Sequence, residues 1–229
     1  MERIDVRNQR YVAIIADIMH SRELEKRAEI QVKLQMTLDA INKRYAKDIA
    51  SKFTITLGDE FQGVLQAGLP TMKIIETIQS EMSPIQFRFG IGVGRITTEI
   101  NAEISLGADG PAYHLARDGI NEVKNLESKK TEPKTNILIG IEEDPDTEKT
   151  LNTIFTLLWA VKSTWTERQH QIVALYQELQ GTQREVADQL GIGQSSVQKS
   201  LSNAHFFTYR DTLAFLAGEI NKTLEEGDD

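Results

Sequence analysis

The apolar positions follow two periods along the first 140 residues or so, and a single helical period after about residue 150. Tyr11 to Ala16 is a continuous apolar run that ends at Asp17, the pattern of a central strand buried on both faces. From about Leu24 a long helix is expected, because Ile30, Leu34, Leu38, Ile41 and Tyr45 recur at steps of three and four. Phe53, Ile55 and Leu57 then alternate with Thr54 and Thr56, the period of a half-buried strand. Gly58-Asp59 marks a turn, and Phe61 to Leu65 reads as the returning strand of a hairpin. Pro70 opens a helix that buries Met72, Ile75, Ile78 and Met82. Phe87, Phe89, Ile91 and Val93 alternate with Arg88, Gly90 and Gly92 in a further strand. Ala112 to Asn125 suits a helix with Ala116, Ile120 and Val123 inward, and Ile137 to Ile139 a short last strand. The order β-α-β-β-α-β-α-β predicts an α+β, ferredoxin-like sandwich extended by one helix and one strand.

Two polar stretches interrupt this pattern. Residues 127–135 read as a solvated loop, and residues 142–150 as a linker. Leu151, Ile154, Phe155, Leu158 and Val161 then open an all-helical region. The expected organisation is a sandwich domain over 1–142 and a helical domain over 143–229.

Within the helical domain, Thr166-Glu167-Arg168-Gln169 and Thr182-Gln183-Arg184-Glu185 are capping boxes. The first opens a helix with Ile172, Leu175, Tyr176 and Leu179 inward, ended by Gly181. The second opens a helix burying Val186, Ala187 and Leu190, followed by a turn at Gly191 and a corner plugged by Ile192. A third helix begins near Gln194 and is anchored by Val197 and Leu201. Helix, short glycine turn, helix is the helix-turn-helix layout, here over about 166–204. Tyr209, Leu213, Leu216, Ile220 and Leu224 form a last stripe, which packs against its own domain or, as a second reading, joins two copies in a homodimer.

Composition narrows the classes. The chain has 229 residues, no cysteine and a formal net charge of −8. Disulfide staples and thiolate metal sites are excluded, and no stretch approaches the roughly 20 apolar residues of a membrane span. A charged N-terminus, Met1-Glu2-Arg3-Ile4-Asp5, lacks the pattern of a signal peptide, so the chain is expected to be cytoplasmic. Thr164 to Asp229 holds five basic residues against ten acidic ones. Because phosphate contacts supply much of the affinity for nucleic acid, a monomer should bind DNA weakly and a dimer on two half-sites more tightly.

Two acidic residues fall at special places. Asp17 ends the first strand and Asp59 lies in the hairpin turn, so a ferredoxin-like sheet brings both to one end. One or two carboxylates suffice to hold Mg²⁺ or Mn²⁺, leaving positions for water and phosphate oxygens. The bland reading is that Gly-Asp is a common turn and a strand-end aspartate a common cap. Glu60 is a third acidic candidate. Ser21 and Arg22 follow Asp17 at the start of the long helix, where Ser21 is placed to cap the helix or to join Arg22 in holding a phosphate. His20 and His114 read as surface groups.

Leu57-Gly58-Asp59-Glu60-Phe61 resembles the hairpin of class III nucleotide cyclases and GGDEF-type diguanylate cyclases. Ile15-Ala16-Asp17-Ile18 resembles the first-strand metal motif of the class III group, Phe87 to Gly94 its Arg-x-Gly-Ile-His-x-Gly strand, and Gly110 to Arg117 the helix that contacts the transition state. The resemblance implies a palm domain with metal on Asp17 and Asp59, nucleotide or phosphate contacts from Ser21, Arg22 and Glu60, and Arg117 as the catalytic cation. Leu57, Gly92 and Tyr113 depart from these patterns, so the resemblance supports metal–nucleotide binding better than cyclisation. Nearly the whole chain, including Ala16-Asp17-Ile18-Met19-His20-Ser21-Arg22, resembles the SatD family of bacterial proteins.

The second half resembles region 4 of sigma factors, with Ala187, Gly191, Ile192, Val197 and Leu201 at packing positions. Gln194, Ser195, Ser196, Gln198 and Lys199 would then face DNA; glutamine can read adenine, and serine and lysine suit phosphates or base edges. A three-helix interaction module is the alternative. The leading expectation is a DNA-binding regulatory protein whose palm domain binds a metal–nucleotide or phosphate ligand. The rival is a metal-dependent nucleotidyl transferase or cyclase.

Overall fold

The computed structural model describes residues 9–129, 134–179 and 182–225. The chain divides into two compact units, Met1–Thr156 with Leu216–Asp229, and Leu157–Phe215. The boundary expected at 142/143 lies just after the last strand. Gly181, expected to end a helix, lies outside the described residues.

The first unit is built on a five-stranded sheet. Its elements are β1 (Arg10–Ile18), α1 (Arg27–Arg44), β2 (Ile49–Leu57), β3 (Glu60–Leu65), α2 (Thr71–Glu81), β4 (Phe87–Arg95), α3 (Pro111–Ser128), β5 (Ile137–Ile141) and the start of α4 (Pro145–Lys162). The strand order is β2-β3-β1-β4-β5. All pairs are antiparallel except β4 with β5. The first four strands reproduce the ferredoxin-like order expected from the sequence. As the apolar run predicts, β1 is central and buried from Tyr11 to Ile18.

Alternation divides the sheet into two faces. Val12, Ile14 and Ala16 share one face with Phe61, Phe87 and Phe89, whose ring centroids lie 5.9–6.4 Å apart. Tyr11, Ala13, Ile15 and Val64 share the other with Ala112, Tyr113, Ala116 and Ile120 of α3. That second face also carries Arg88, Gly90 and Gly92 of β4. A Cβ on Gly90 or Gly92 would stand 1.9 Å from the carbonyl oxygen of Ala116 or Ala112. The glycines therefore let the backbone of α3 lie directly on β4, closer than any side chain would allow.

Both sheet edges are closed by an asparagine from a helix. The Asn42 amide of α1 donates to Phe53 O and accepts from Phe53 N–H on β2, at 2.9 and 2.8 Å. Asn152 of α4 does the same to Ile139 of β5, with both bonds at 2.8 Å. Glu148 accepts from Ile141 N–H at 2.9 Å. Backbone groups that would otherwise template pairing with another chain are thereby occupied.

Three expectations need correction. The long helix starts at Arg27 rather than Leu24; Ser21–Glu23 form a separate 3-10 turn, and Ser21 caps neither element. Residues 142–150 are not a linker, since α4 begins at Pro145. The Asp144 carboxylate accepts from Thr147 N–H at 3.1 Å, Pro145 tolerates the first helical position, and Asp146 and Glu148 suit the positive end of the helix dipole. The loop expected over 127–135 is helical as far as Ser128, and residues 130–133 lie outside the described residues.

The second unit is helical: the end of α4, α5 (Glu167–Leu179), α6 (Gln183–Leu190), α7 (Gln194–Asn203) and the start of α8 (Phe206–Glu225). Ile172, Leu175, Val186, Ala187, Val197 and Leu201 are buried, as their spacing predicts, and Val173 joins them, whereas Leu179, expected inward, is exposed. Trp165 closes this core, its ring 5.1 Å from Tyr209 and its Nε1–H donating to Ala204 O at 2.8 Å. Both capping boxes form: Gln169 N–H donates to Thr166 Oγ1 and Thr166 N–H to Gln169 Oε1, with Thr182 and Glu185 doing likewise. The stripe Tyr209, Leu213, Leu216, Ile220 and Leu224 is buried within one copy of the chain.

Candidate functional site

Asp17, next to last in β1, lies on the face covered by α3, and its side chain is only 9% exposed. A carboxylate so far from water needs partners. It has two: Arg88 Nη1 donates to Oδ1 at 3.1 Å, and Lys124 Nζ lies 2.6 Å from Oδ2. Arg88 stands directly across from Asp17 in the β1–β4 register, and its guanidinium continues to Glu127 at 2.6 Å. Burial opposes the Arg88 charge, yet Glu127 and Asp17 outweigh it and raise its pKa.

Across the β1–β3 register, Asp17 faces Glu60, not Asp59. Arg117 of α3 grips Glu60 with two bonds, Nη1 to Oε2 at 2.6 Å and Nη2 to Oε1 at 2.9 Å. This fork-on-fork contact holds the Glu60 carboxyl below its usual value, against a smaller effect of burial. Arg117 and Lys124 are seven residues apart, two turns along one side of α3. Lys124 also lowers Glu60 through space, and Asp17 raises Arg117 in the same way, so the two ion pairs sense each other.

Asp59 occupies the hairpin turn between β2 and β3. Its carbonyl accepts from Ile18 N–H at 3.2 Å, and its carboxylate accepts from the Ser21 hydroxyl. Gln31 of α1 donates to Gly58 O at 2.7 Å, so the tip is tied down from two sides. Ser21 thus belongs to the hairpin rather than to a helix cap. Arg22 is exposed and makes no ion pair among the described residues. His20 and His114 are surface groups, with Glu127 3.3 Å and Asp109 3.1 Å away respectively. Asp17, Asp59, Glu60, Ser21 and Arg117 therefore gather at one end of the sheet. Among the described residues, no group of three histidine, cysteine or acidic side chains is placed to hold a metal ion.

Sequence reasoning left out Arg88, Lys124 and Glu127. One signal was available for the first: Arg88 is the only charged side chain among the inward glycines of β4. Lys124 and Glu127 become visible only when α3 is seated on the sheet. Tyr113, which departs from the cyclase pattern, is a packing residue. Its hydroxyl donates to Ser105 O at 3.0 Å, and burial pushes its pKa up to about 12.

In the second unit, Gly191 takes φ 63° and ψ 36°. Ile192 N–H then bonds to Ala187 O at 3.0 Å and Gly191 N–H to Asp188 O at 3.4 Å, a Schellman ending that turns the chain into α7. Gln194, Ser195, Ser196, Gln198 and Lys199 are all exposed, and α7 carries no acidic residue. The second unit holds Lys162, Arg168, Arg184, Lys199 and Arg210 against Glu167, Glu178, Glu185, Asp188 and Asp211, a net charge of zero. The acidic excess of the C-terminal half falls in residues 216–229, mostly in 226–229, which lie outside the described residues.

The SatD family model matches residues 11–214, through both units. The chain belongs to the SatD family. No match is found among curated proteins. Two solved structures are similar to part of this SatD-family chain. One is the guanylate cyclase domain of RhGC from Catenaria anguillulae in complex with GTP, at 18% identity, 50% of this chain, 73% of that chain and a TM-score of 0.34. The other is the catalytic core of a rhodopsin-guanylyl cyclase with converted specificity in complex with ATPαS, at 18% identity, 49% of this chain, 72% of that chain and a TM-score of 0.33. A likeness of that size says nothing about chemistry. No helix among the described residues is long and apolar enough to cross a membrane.

Proposed function

We propose that this SatD-family protein is a DNA-binding regulator, in which α7 reads duplex DNA and the charged end of the sheet binds a metal–nucleotide or related phosphate ligand. The observation that carries the first half is the exposed, acid-free face of α7 behind a tight glycine turn. Gln194 and Gln198 can each make paired hydrogen bonds to an adenine edge, Lys199 suits a phosphate, and Ser195 and Ser196 suit either. The second unit by itself carries no net charge to oppose phosphate contacts. A homodimer would present two α7 helices to half-sites about 34–36 Å apart.

The second half rests on the mixed charge at the sheet end. Asp17 and Asp59 offer the hard oxygen donors that Mg²⁺ or Mn²⁺ takes. To hold such an ion, Asp17 would release Lys124 and Asp59 the Ser21 hydroxyl. When bound, the ion would screen phosphate charge. Arg22, Arg117 and the freed Lys124 and Ser21 would hold the phosphate oxygens, with Glu60 setting where Arg117 points.

Selection from a random duplex pool tests the DNA half, and the recovered sequences are expected to share an adenine-containing motif. Thermal unfolding with Mg²⁺ or Mn²⁺ and a nucleotide panel tests the ligand half. A nucleotide that raises the Tm of the wild type but not of Asp17→Asn/Asp59→Asn supports the site. A pool without enrichment at any salt contradicts DNA recognition, and equal shifts in both proteins contradict the site.

A further inference from the structure

We propose that the sheet-end site takes up its cation and its phosphate together, and that Lys124 couples the two by exchanging Asp17 for the phosphate. This rests on the ligand reading above and adds to it a binding order and a coupling role for Lys124.

Most of the charged side chains of the site are paired with one another. Asp17, Glu60 and Glu127 are paired with Arg88, Arg117 and Lys124, three carboxylates against three cations, while the Asp59 carboxylate accepts from the Ser21 hydroxyl. A divalent cation arriving alone meets Asp17 with Arg88 on one oxygen and Lys124 on the other. It must expel Lys124 and then stand beside unneutralised positive charge. A phosphate arriving alone must take Arg117 from Glu60 or Lys124 from Asp17, which leaves a bare carboxylate next to a new anion. Side chains of Asp17 and Glu60 are 9% and 12% exposed, so water offers each little relief.

Arriving together, the two ligands exchange partners with the protein. The cation takes the oxygen of Asp17 that Lys124 vacates, and the released ammonium meets the phosphate. Lys124 can make this move. It is 41% exposed, it is a flexible point charge, and among the described residues one ion pair, with Asp17, holds it. Arg88 cannot, because it is 13% exposed and bonded to both Asp17 and Glu127. Asp17 therefore keeps one fixed partner and one exchangeable partner.

The test uses Mn²⁺ alone, inorganic tripolyphosphate alone and their preformed complex on the full chain, in wild type, Lys124→Gln, Lys124→Arg and, as a surface control, Lys33→Gln. Protein-bound Mn²⁺ and tripolyphosphate are both read as their excess on the protein side in equilibrium dialysis, against a matched dialysis without protein that accounts for the complex the two form in solution. In the wild type, each ligand is expected to bind more tightly with the other present by a factor of about 5–150, the usual range of coupling between sites. In Lys124→Gln, Mn²⁺ alone should bind more tightly than in the wild type, and the coupling factor should fall towards one. Lys124→Arg should restore most of the coupling, and Lys33→Gln should behave as wild type. Wild type that binds the complex while Lys124→Gln leaves the Mn²⁺-alone affinity and the coupling unchanged overturns the role of Lys124 and leaves the ligand reading standing. Failure of both proteins to bind either ligand or the complex overturns both.

Discussion

Glu60 and Arg117 form the ion pair whose pH dependence is easiest to isolate. Arg117 holds the Glu60 carboxyl below its ordinary value in the folded protein. A carboxylate with a lowered folded pKa stabilises the fold fully above its unfolded value of about 4.3, and that contribution fades as pH falls through the lowered one. Glu60→Gln should therefore unfold at a lower temperature than wild type at pH 7, and the gap should close progressively below about pH 4.3. A gap that stays constant from pH 7 to pH 3 would mean that the pair contributes nothing through its charge. Of the residues at this site, Asp17, Asp59 and Glu60 were legible because strand ends and turns are marked in the sequence. Their partners were not. Pairing of Asp17 with Arg88 depends on strand register, and pairing with Lys124 on the seating of a helix, neither of which a local pattern encodes.

At the scale of elements, α3 carries the site, and two glycines play different parts. Gly191 has open space around a missing Cβ but a left-handed backbone, so Gly191→Ala should cost roughly 1–2 kcal/mol through the backbone alone. Gly92 has an ordinary strand conformation but no room, with Ala112 O at 1.9 Å. Gly92→Ala should cost about 1–3 kcal/mol through overpacking and should also weaken phosphate binding, because α3 must move with Arg117 and Lys124 on it. Urea unfolding gives the stabilities, and dialysis with tripolyphosphate gives the binding. Gly191→Ala should leave phosphate binding unchanged. Long periodic elements such as β1, β4 and α3 were read correctly. The segment Glu142 to Thr150 was misread because its acidic, proline-containing composition looks like a linker. In fact an aspartate accepting a backbone N–H, a proline at the first turn and acidic residues near the helix N-terminus start α4. The start of α1 was misplaced because Ser21 satisfies Asp59, a contact 38 residues distant in sequence that no capping pattern reveals.

At the scale of the whole molecule, the α+β class, the ferredoxin-like strand order and the helical second half all follow from the change of hydrophobic period. The charge balance did not follow. Summed from Thr164 to the end, the helical half is acidic, which argues for weak DNA binding by a monomer, whereas Leu157–Phe215 taken by itself is neutral. That neutrality makes DNA recognition by α7 the claim most open to direct test. The decisive measurement is fluorescence anisotropy with a duplex recovered by selection, titrated over 50–200 mM salt (about the range over which phosphate contacts declare themselves), for wild type, Gln198→Ala and Lys199→Gln. The account predicts that Gln198→Ala loses about 1–3 kcal/mol on the selected duplex and little on a scrambled one, while Lys199→Gln weakens both and lowers the salt slope by about 1. Equal affinity of all three proteins for both duplexes at every salt concentration would contradict it.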